Sequence, residues 1–415
     1  MAELSAETRV GVVGAGAMGS GIAQVAATFG HQVVLFDTQA GAVDRALLSI
    51  EKNLARSVEK GRLSADAAAV VRGRVSSGDN GNRATEAQRH RGEKKGKTDD
   101  GALLSLAGCG LIIEAVVEDL DVKRDLFAGL EKIGPEGAIL ATNTSSLSVT
   151  AIARACTRPE RVVGIHFFNP PTVLPLVEIV PGLATASEVV MEAQALVDAW
   201  GKKTVIATDT PGFIVNRIAR PFYGEALRMY EEGIADIPTI DWAMREVGGF
   251  KMGPFELMDF IGNDVNFAAT KSVYEATFHD SRFRPTLTQQ RLFDAGLFGR
   301  KSGRGYYDYS PGAAIPEPTR DAELGQMIFR RILSMLINQA ADALYLRIAS
   351  AHDIDLAMTL GVNYPKGLLA WADELGIPET VKWLSALQDF YGEERYRPSP
   401  LLKTMATDGF TFFST

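Results

Sequence analysis

Residues 10–30, "VGVVGAGAMGSGIAQVAATFG", contain the pattern that is most informative about the fold. A short apolar run leads into the pattern Gly14-x-Gly16-x-x-Gly19, and a helical pattern follows. Gly14 permits a tight turn, Gly16 lets a pyrophosphate approach the backbone, and Gly19 allows close packing of helix against strand. The order of strand, glycine turn and helix therefore predicts a dinucleotide-binding βαβ unit.

The residues that follow the glycine pattern identify the dinucleotide. Ala17 and Met18 open the predicted helix, and the backbone N–H groups at a helix N-terminus bind phosphates. Asp37 ends the next predicted strand, 18 residues beyond Gly19. A carboxylate there accepts hydrogen bonds from both hydroxyls of an adenosine ribose and repels a 2′-phosphate. The sequence therefore predicts NAD as the cofactor, in preference to NADP.

Short apolar runs alternate with helical patterns as far as residue 208. The runs lie at 9–14, 32–37, 110–115, 137–142, 161–166 and 203–208. Helical patterns lie at 17–29, 121–132 and 187–200, and two consecutive helices are predicted within 39–72. Strands that are apolar throughout are typical of a sheet covered on both faces. The pattern predicts a doubly wound α/β sheet, followed after Pro211 by helices alone.

Composition narrows the class of protein. A length of 415 residues predicts two or three domains, and a net charge of −8 argues against binding nucleic acid by bulk charge. The two cysteines, Cys109 and Cys156, have no metal-ligand spacing and fit a reducing compartment. No signal core or apolar run of about 18 residues occurs. We therefore expect a cytoplasmic enzyme without a metal, a membrane span or a nucleic-acid partner.

An internal repeat organises the helical half of the chain. Residues 239–262 align without gaps on residues 353–376, at an offset of 114, and "RFRPTL" (282–287) resembles "RYRPSP" (395–400). A repeat of this kind indicates a duplicated helical domain. The predicted domains are an NAD-binding domain at 1–208, a first helical domain at 209–310 and a second at 320–415. A Pro/Gly-rich linker at 310–318 separates the two helical copies.

The segment 77–101 differs from the rest of the first domain. It is polar, basic and without periodicity. Such composition predicts a disordered surface insertion, and a contact with phosphates is the alternative.

Polar residues follow two neighbouring strands of the predicted sheet. Ligands of open α/β sheets bind beyond the carboxyl ends of the strands. One predicted strand is followed by Asn143, Ser145 and Ser146, and another leads into His166 and Asn169. Each of these residues alone has a structural explanation as a turn former or helix cap. Together they predict a polar site at the nicotinamide end of the cofactor.

His166 and Glu178 lie 12 residues apart, on apolar runs separated by the turn "NPPTV". If the two runs form a hairpin, the side chains meet across it. A buried structural pair is one interpretation. The other is catalytic: the carboxylate fixes the imidazole tautomer, and the second ring nitrogen takes a proton from a substrate hydroxyl. That arrangement suits a dehydrogenase that transfers hydride to a nicotinamide without a metal.

A series of motifs resembles the L-3-hydroxyacyl-CoA dehydrogenase family of fatty-acid-type β-oxidation. In order along residues 8–309 they are "GAGAMGSGIAQVAA", "LIIEAVVEDLDVKRDLF", "NTSSLS", "GIHFFNPP", "LVEIV", "DTPGFIVNRI", "MGPFELMDFIG" and "FGRKSGRGYYDY". The resemblance implies a Rossmann domain followed by a helical domain. It also implies NAD-dependent oxidation of (S)-3-hydroxyacyl-CoA to 3-oxoacyl-CoA.

The resemblance assigns roles to individual residues. It makes His166 the general base and Glu178 its partner, and it has Ser145 and Asn216 bind the substrate oxygen. The residues that it places at or near NAD are Asp37, Glu118, Lys123, Ser145, Asn169 and Lys301. Two family positions that contact CoA correspond to Asn53, where the family has serine, and to Lys60. In the second helical copy Arg330 takes the position of Asn216, so we expect that copy to be non-catalytic.

The second copy points to one branch of the family. "RIARPFYGEA", "IGNDVNFA", "DIDLAMTLGVNYPKG" and "YGEERYRP" are similar to the two-copy 3-hydroxyadipyl-CoA dehydrogenases of phenylacetate degradation. The chain departs from them in a short linker near 310–320 and in the insertion 77–101. The resemblance implies a substrate with a distal carboxylate. The alternative substrates are 3-hydroxybutyryl-CoA, the 3-hydroxyacyl-CoA thioesters of general fatty-acid β-oxidation, and a free hydroxy acid.

Arg220 is the residue that we expect to bind a distal carboxylate. It lies four residues after Asn216, on the same helix face and about 6 Å away. An ion pair with a nearby carboxylate or an interface partner is the alternative.

The resemblance also bears on assembly. Helical domains of one-copy relatives pair between subunits, so a tethered second copy makes either a homodimer or a pseudo-dimeric monomer the expected state.

Overall fold

A computed structural model describes residues 4, 5, 7–78, 102–314 and 316–413. The chain divides into two compact units, Met1–Asp209 and Thr210–Thr415. Most of the predicted insertion, from residue 79 to 101, lies outside the described residues. Ser77 is the last residue of a strand, so the predicted start of the insertion at 77 is wrong.

Eight strands form one sheet in the described part of the first unit, in the order β3-β2-β1-β4-β5-β6-β7-β8. All neighbours pair in parallel except β6 and β7, which are antiparallel. The strands are β1 Val10–Val13, β2 Val33–Phe36, β3 Val75–Ser77, β4 Leu111–Glu114, β5 Ile139–Thr142, β6 Val162–Phe167, β7 Leu176–Pro181 and β8 Lys203–Ile206. The predicted doubly wound sheet is confirmed, whereas β3 was not predicted.

Helices cover both faces of this sheet. They are α1 Ala17–Thr28, α2 Ala42–Glu59, α3 Ala65–Gly73, α4 Leu120–Ile133, α5 Val149–Ala153 and α6 Ser187–Ala199. Leu111 and Ile113 belong to an apolar cluster with residues of α1, α2 and α6. Ile112 between them is equally buried on the opposite face, where α4 and α5 contact the sheet. Burial on both faces explains why these strands are apolar at every position.

The second unit is helical and contains two copies of one domain. The first copy comprises α7 Val215–Ile218, α8 Arg220–Glu231, α9 Ile237–Trp242, α10 Pro254–Ile261, α11 Asn263–Ala276 and α12 Leu287–Asp294. The second comprises α13 Ala322–Tyr345, α14 Ala351–Gly361, α15 Leu368–Leu375, α16 Ile377–Tyr391 and α17 Pro400–Asp408. None of the described helices combines the length and apolarity needed to cross a membrane.

One buried aspartate occurs at the same place in both copies. Asp241 accepts hydrogen bonds of 2.9 and 2.9 Å from backbone N–H groups in the first turn of α10. At the offset of 114, Asp355 accepts bonds of 2.8 and 2.9 Å from the first turn of α15. A Cβ on Gly253 or Gly367 would lie 2.3 Å from the facing aspartate. The predicted duplication is therefore confirmed at the level of individual hydrogen bonds.

This repeated contact carries a prediction about stability. Replacing Gly253 or Gly367 by alanine should lower the free energy of unfolding by about 1–3 kcal/mol each, because the new methyl group overlaps a buried carboxylate. Urea unfolding of the two variants measures the loss. Gly224→Ala is the control, since its Cβ meets only the flexible end of Arg228. Equal stability of all three variants would contradict the prediction.

Ion pairs join the two copies reciprocally. Arg331 of the second copy bonds Glu225 and Glu232 of the first at 2.9 and 2.7 Å. Arg282 of the first copy pairs with Asp342 of the second. Each copy thus supplies an arginine that neutralises carboxylates of the other copy, and buried charges need such partners. Helix α13 packs along α8, which brings Arg331 next to Glu225 and Glu232.

A buried histidine connects three parts of the first unit. His31 Nδ1 bonds the carbonyl oxygen of Thr8 at 2.8 Å, and Nε2 accepts a 2.8 Å hydrogen bond from Trp200 Nε1. Because a carbonyl only accepts and the indole N–H only donates, the neutral tautomer with the proton on Nδ1 is fixed. Burial, with a contribution from the charge of Arg74, lowers the pKa of His31 below 6.5 although the Thr8 bond opposes it.

His31 should therefore weaken the fold in acid. Its folded pKa lies below the unfolded value, so its contribution is complete above about pH 6.5 and is lost as the pH falls. We expect the free energy of unfolding to fall more for the wild type than for His31→Gln between about pH 7.5 and pH 5.5. Urea unfolding at both pH values tests this. Parallel pH profiles for the two proteins would show that His31 makes no such contribution.

Candidate active site

The carboxyl ends of four neighbouring strands bring polar groups of the first unit together. The glycine turn follows β1, Glu114 ends β4, Thr142 ends β5, and His166 is the penultimate residue of β6. Because β1, β4, β5 and β6 are parallel neighbours, these ends lie along one edge of the sheet.

The glycine turn has the geometry that a pyrophosphate requires. Gly14 has a φ of +101°, and a Cβ on Gly19 would lie 1.7 Å from the Gly14 oxygen, so both positions demand glycine. Gly16 is exposed, and a Cβ there would meet nothing within 4 Å. It is the N-cap of α1 and makes no side-chain cap bond, so the N–H groups of Ala17 and Met18 begin the helix without a protein cap. The turn therefore fits a bound dinucleotide.

Asp37 lies directly beyond β2 and is tied to the same turn. Its Oδ2 accepts a 2.7 Å hydrogen bond from the Ala15 N–H, and its Oδ1 accepts one of 2.8 Å from Gln39. Each carboxylate oxygen has a second lone pair, so two ribose hydroxyls can still be bound. The sequence predicted the ribose contact but not the bond to Ala15.

Glu118 organises the loop that carries Ser145. Its Oε1 accepts hydrogen bonds from the N–H groups of Ser145 and Ser146 at 3.0 and 3.2 Å, and from Thr144 Oγ1 at 2.6 Å. Burial opposes ionisation, but Lys123 and these hydrogen bonds outweigh it and hold the pKa of Glu118 below its usual value. Glu118 is therefore charged, and it fixes the serine loop, residues 143–148.

Two further residues fasten this loop, and the sequence did not identify their roles. Asp209 caps α5, accepting hydrogen bonds from Ser148 Oγ at 2.8 Å and from the Val149 N–H at 2.9 Å. Asn143 Oδ1 accepts a 2.8 Å bond from the Phe167 N–H, which joins the ends of β5 and β6. Asn169 is exposed just beyond β6.

Lys123 is the most buried of the residues expected near NAD. It is 1% exposed and lies 2.5 Å from Glu114 Oε1 and 3.3 Å from Glu118 Oε2. Glu114, which sequence reasoning missed, is itself fully buried. The available signal was an acid at the end of the apolar run "LIIEA", where a charge has to be paired to be tolerated.

His166 and Glu178 form the predicted pair. They lie opposite each other in the antiparallel register of β6 and β7, so the predicted hairpin is confirmed. His166 Nδ1 is 2.6 Å from Glu178 Oε2, and the two residues are 5% and 0% exposed. Because a carboxylate only accepts, Nδ1 carries the proton and the lone pair of the neutral ring lies at Nε2. The pair can accept a proton there and stabilise the resulting imidazolium.

The positions expected to contact CoA lie on α2. Asn53 is half-buried and its Nδ2 is 3.5 Å from Gln24 Oε1, whereas Lys60 is exposed at the C-cap. Seven residues are two helical turns, so Asn53 and Lys60 lie on one face of the helix.

The remaining predicted residues belong to the helical unit. Asn216 is half-buried on α7, and its carbonyl oxygen accepts a 2.8 Å hydrogen bond from Arg220 Nε. Arg220 is 6% exposed and donates to Thr270 at 3.1 Å. Lys301 pairs with Asp264 at 2.6 Å. Among the residues that the structure describes, no group of three or more His, Cys, Asp or Glu side chains is arranged to hold a metal ion.

Models of one protein family match nearly the whole chain. The NAD binding domain of 3-hydroxyacyl-CoA dehydrogenase matches residues 9–210. The C-terminal domain of 3-hydroxyacyl-CoA dehydrogenase matches residues 212–309 and again residues 327–411. The second of these matches falls on the second helical copy.

Individual relatives agree with the family match. The 3-hydroxyadipyl-CoA dehydrogenase of Escherichia coli is 40% identical over 96% of this chain and 97% of the relative. The 3-hydroxybutyryl-CoA dehydrogenase of Bradyrhizobium diazoefficiens is 39% identical over 75% of this chain and 98% of the relative. A crystal structure of 3-hydroxybutyryl-CoA dehydrogenase from Escherichia coli has a TM-score of 0.86 and 38% identity, covering 97% and 99% of the two chains.

The glycine turn, the His–Glu pair and these similarities agree with one another. The chain belongs to the 3-hydroxyacyl-CoA dehydrogenase family of NAD-dependent oxidoreductases.

Proposed function

We propose that this protein oxidises (S)-3-hydroxyacyl-CoA thioesters to 3-oxoacyl-CoA with NAD. The observation that carries the proposal is the buried His166–Glu178 pair, with a separation of 2.6 Å, on the sheet edge that also bears the glycine turn. A buried structural pair alone would not require a dinucleotide site on the same edge. Family membership supplies the substrate class.

The chemistry proposed for the chain is proton transfer and its support. His166 accepts the proton of the 3-hydroxyl at Nε2, and Glu178 stabilises the imidazolium through Nδ1. Bound NAD supplies the hydride acceptor. Both groups are buried, so the attraction between imidazolium and carboxylate is stronger than it would be in water.

For the other residues we propose the roles that the family resemblance implies. Ser145 and Asn216 bind the substrate oxygen. Residues proposed to hold NAD are Gly14, Gly16, Ala17, Met18, Gly19, Asp37, Glu118, Lys123, Ser145, Asn169 and Lys301. For CoA we propose Asn53 and Lys60, since a half-buried amide and an exposed ammonium share one face of α2.

We propose 3-hydroxyadipyl-CoA as the preferred substrate, with Arg220 binding its distal carboxylate. Arg220 is buried, and its described hydrogen bonds go to the Asn216 carbonyl oxygen and to Thr270 Oγ1, neither of which is a carboxylate. Its guanidinium instead lies over the Tyr223 ring, 5.1 Å from the centroid. Burial lowers the pKa of Arg220, although the nearby tyrosines Tyr223 and Tyr364 oppose the shift. A buried cation without a counter-charge is unfavourable, and a substrate carboxylate would neutralise it.

Two substrates test both the oxidation of thioesters and the preference for the adipyl group. NADH formation from (S)-3-hydroxybutyryl-CoA and 3-hydroxyadipyl-CoA is compared in the wild type and in Arg220→Gln. We expect the adipyl thioester to be preferred, and the variant to lose about tenfold or more of that preference, as for one charged hydrogen bond. An equal loss on both substrates would exclude carboxylate recognition by Arg220. Turnover of free hydroxy acids in place of thioesters would instead favour a hydroxy-acid dehydrogenase.

We also propose that the second helical copy occupies the surface through which one-copy relatives pair. Ion pairs of Arg331 and Arg282 support this, because they run in both directions between the two copies and hold them together. Light scattering distinguishes a pseudo-dimeric monomer from a homodimer. A cytoplasmic location is consistent with the unbridged state of Cys109 and Cys156.

A further inference from the structure

Glu114 occupies a central position in the first unit. It is the last residue of β4, in register with Val13 of β1 and with Thr142 of β5. Val13 directly precedes the glycine turn, and Thr142 directly precedes the serine loop. Glu114 is 0% exposed, so it cannot itself touch a ligand in this arrangement. A buried carboxylate is destabilising unless it is paired and hydrogen-bonded, so the role of Glu114 depends on its partners.

Both carboxylate oxygens of Glu114 accept hydrogen bonds. Oε1 lies 2.5 Å from Lys123 Nζ and accepts a 2.7 Å hydrogen bond from the Val116 N–H. Oε2 accepts a 2.7 Å hydrogen bond from Thr142 Oγ1. An ionised carboxylate accepts all three bonds. A neutral amide of the same shape has one accepting oxygen and an NH₂ group that faces donors.

One set of contacts leads from Glu114 to the glycine turn. The side chain holds the backbone at Val116, and the adjacent Ala115 donates a 2.7 Å hydrogen bond to the Val13 carbonyl. The Ala115 oxygen would lie only 2.5 Å from a Cβ on Gly14. The backbone fixed by Glu114 is therefore the surface against which the glycine turn is packed.

A second set of contacts leads to the serine loop. Lys123 lies between Glu114 and Glu118, at 2.5 and 3.3 Å. Glu118 in turn accepts hydrogen bonds from the N–H groups of Ser145 and Ser146. Two carboxylates thus share one ammonium. Loss of the charge on Glu114 would leave Lys123 with Glu118 alone and draw Glu118 away from the serine loop.

We infer that Glu114 is a positioning residue that sets the glycine turn and the serine loop in the arrangement NAD requires, acting through Val116, Lys123 and Glu118. The inference rests on the proposed function for the identity of the cofactor. It predicts weaker cofactor binding, with no change in the CoA contacts proposed for Asn53 and Lys60.

Glu114→Gln tests the inference through three readouts. The Kd for NADH, followed by fluorescence, should rise about tenfold or more, as for the loss of a charge-assisted hydrogen bond. Hydrogen exchange in the protein without cofactor should accelerate in the peptide covering residues 143–150. The KM for NAD should rise by more than the KM for the hydroxyacyl-CoA, because Ser145 is the one residue of the serine loop that is proposed to contact the thioester. In a Lys123→Met background, Glu114→Gln should add little further loss.

Glu131→Gln is the matched control. Glu131 lies on α4, as Lys123 does, and it accepts backbone hydrogen bonds from Thr157 and Arg158 at 2.8 and 2.7 Å, but that loop carries none of the proposed NAD residues. It should leave the Kd for NADH unchanged. If Glu114→Gln fails to fold, Thr142→Val removes one of the three bonds and should shift the Kd in the same direction.

Two results would overturn the inference. One is a Glu114→Gln or Thr142→Val protein that binds NADH like the wild type. The other is exchange that accelerates equally in residues 162–181, which would indicate a general structural role. A wild type that binds NADH but oxidises no thioester would contradict the proposed function instead, and the binding readouts would still decide the role of Glu114.

Discussion

Replacing His166 by glutamine should lower kcat by about 10³-fold, because proton abstraction by a positioned base contributes 10²–10⁴-fold. Glutamine keeps a hydrogen-bonding group of similar size beside Glu178, so the hairpin of β6 and β7 should persist. The Kd for NADH should stay close to that of the wild type, since the glycine turn and Asp37 lie on other strands. Steady-state turnover and a fluorescence titration measure the two quantities.

Two companion variants make the His166 result specific. Glu178→Gln should also lower kcat strongly, because a neutral amide no longer stabilises the imidazolium through the 2.6 Å contact with Nδ1. His352→Gln changes an exposed histidine on α14 and should leave kcat unchanged. Retention of most activity in folded His166→Gln would assign the base to another residue.

Replacing Gly16 by alanine should raise the Kd for NADH about tenfold or more without lowering the melting temperature. The glycine has a φ of −71°, which alanine adopts readily, and its Cβ would project into open space. The added methyl group therefore costs nothing in the protein alone. It would obstruct only a group that approaches the backbone there, and a pyrophosphate at the N-terminus of α1 is that group.

Other glycines serve as controls for this result. Gly137→Ala also adds a methyl group in open space, in the turn before β5 at the opposite end of the strands, and should change neither quantity. Gly19→Ala should destabilise the fold as well, since its Cβ would overlap the Gly14 oxygen. Unchanged NADH binding by Gly16→Ala would show that the pyrophosphate lies elsewhere.

The features that the sequence predicted are those encoded locally. Gly14, Gly16 and Gly19 each meet a backbone requirement of the dinucleotide-binding turn, and their spacing alone identifies that turn. The His166–Glu178 pair was predictable because a hairpin places residues at a fixed separation opposite each other. The duplication was visible as a constant offset, and Asp241 and Asp355 express it as identical hydrogen bonds.

The features that the sequence missed depend on tertiary register. Glu114 gains its partners from β5 and α4, and nothing near it in the chain specifies them. Strand β3 is only three residues long with one buried side chain, so it carries no apolar run. Arg220 bonds the Asn216 carbonyl one helical turn back, which fits the expected shared face, but its bond to Thr270 of α11 was not predicted. Local periodicity does not specify such side-chain directions.

The oxidation of hydroxyacyl-CoA is tested by NADH formation by the purified wild-type protein with NAD and (S)-3-hydroxybutyryl-CoA or 3-hydroxyadipyl-CoA, with His166→Gln measured in parallel. We expect turnover by the wild type and a loss of about 10³-fold in the variant, as for the removal of a general base. A folded wild type that binds NADH but oxidises neither thioester would contradict it.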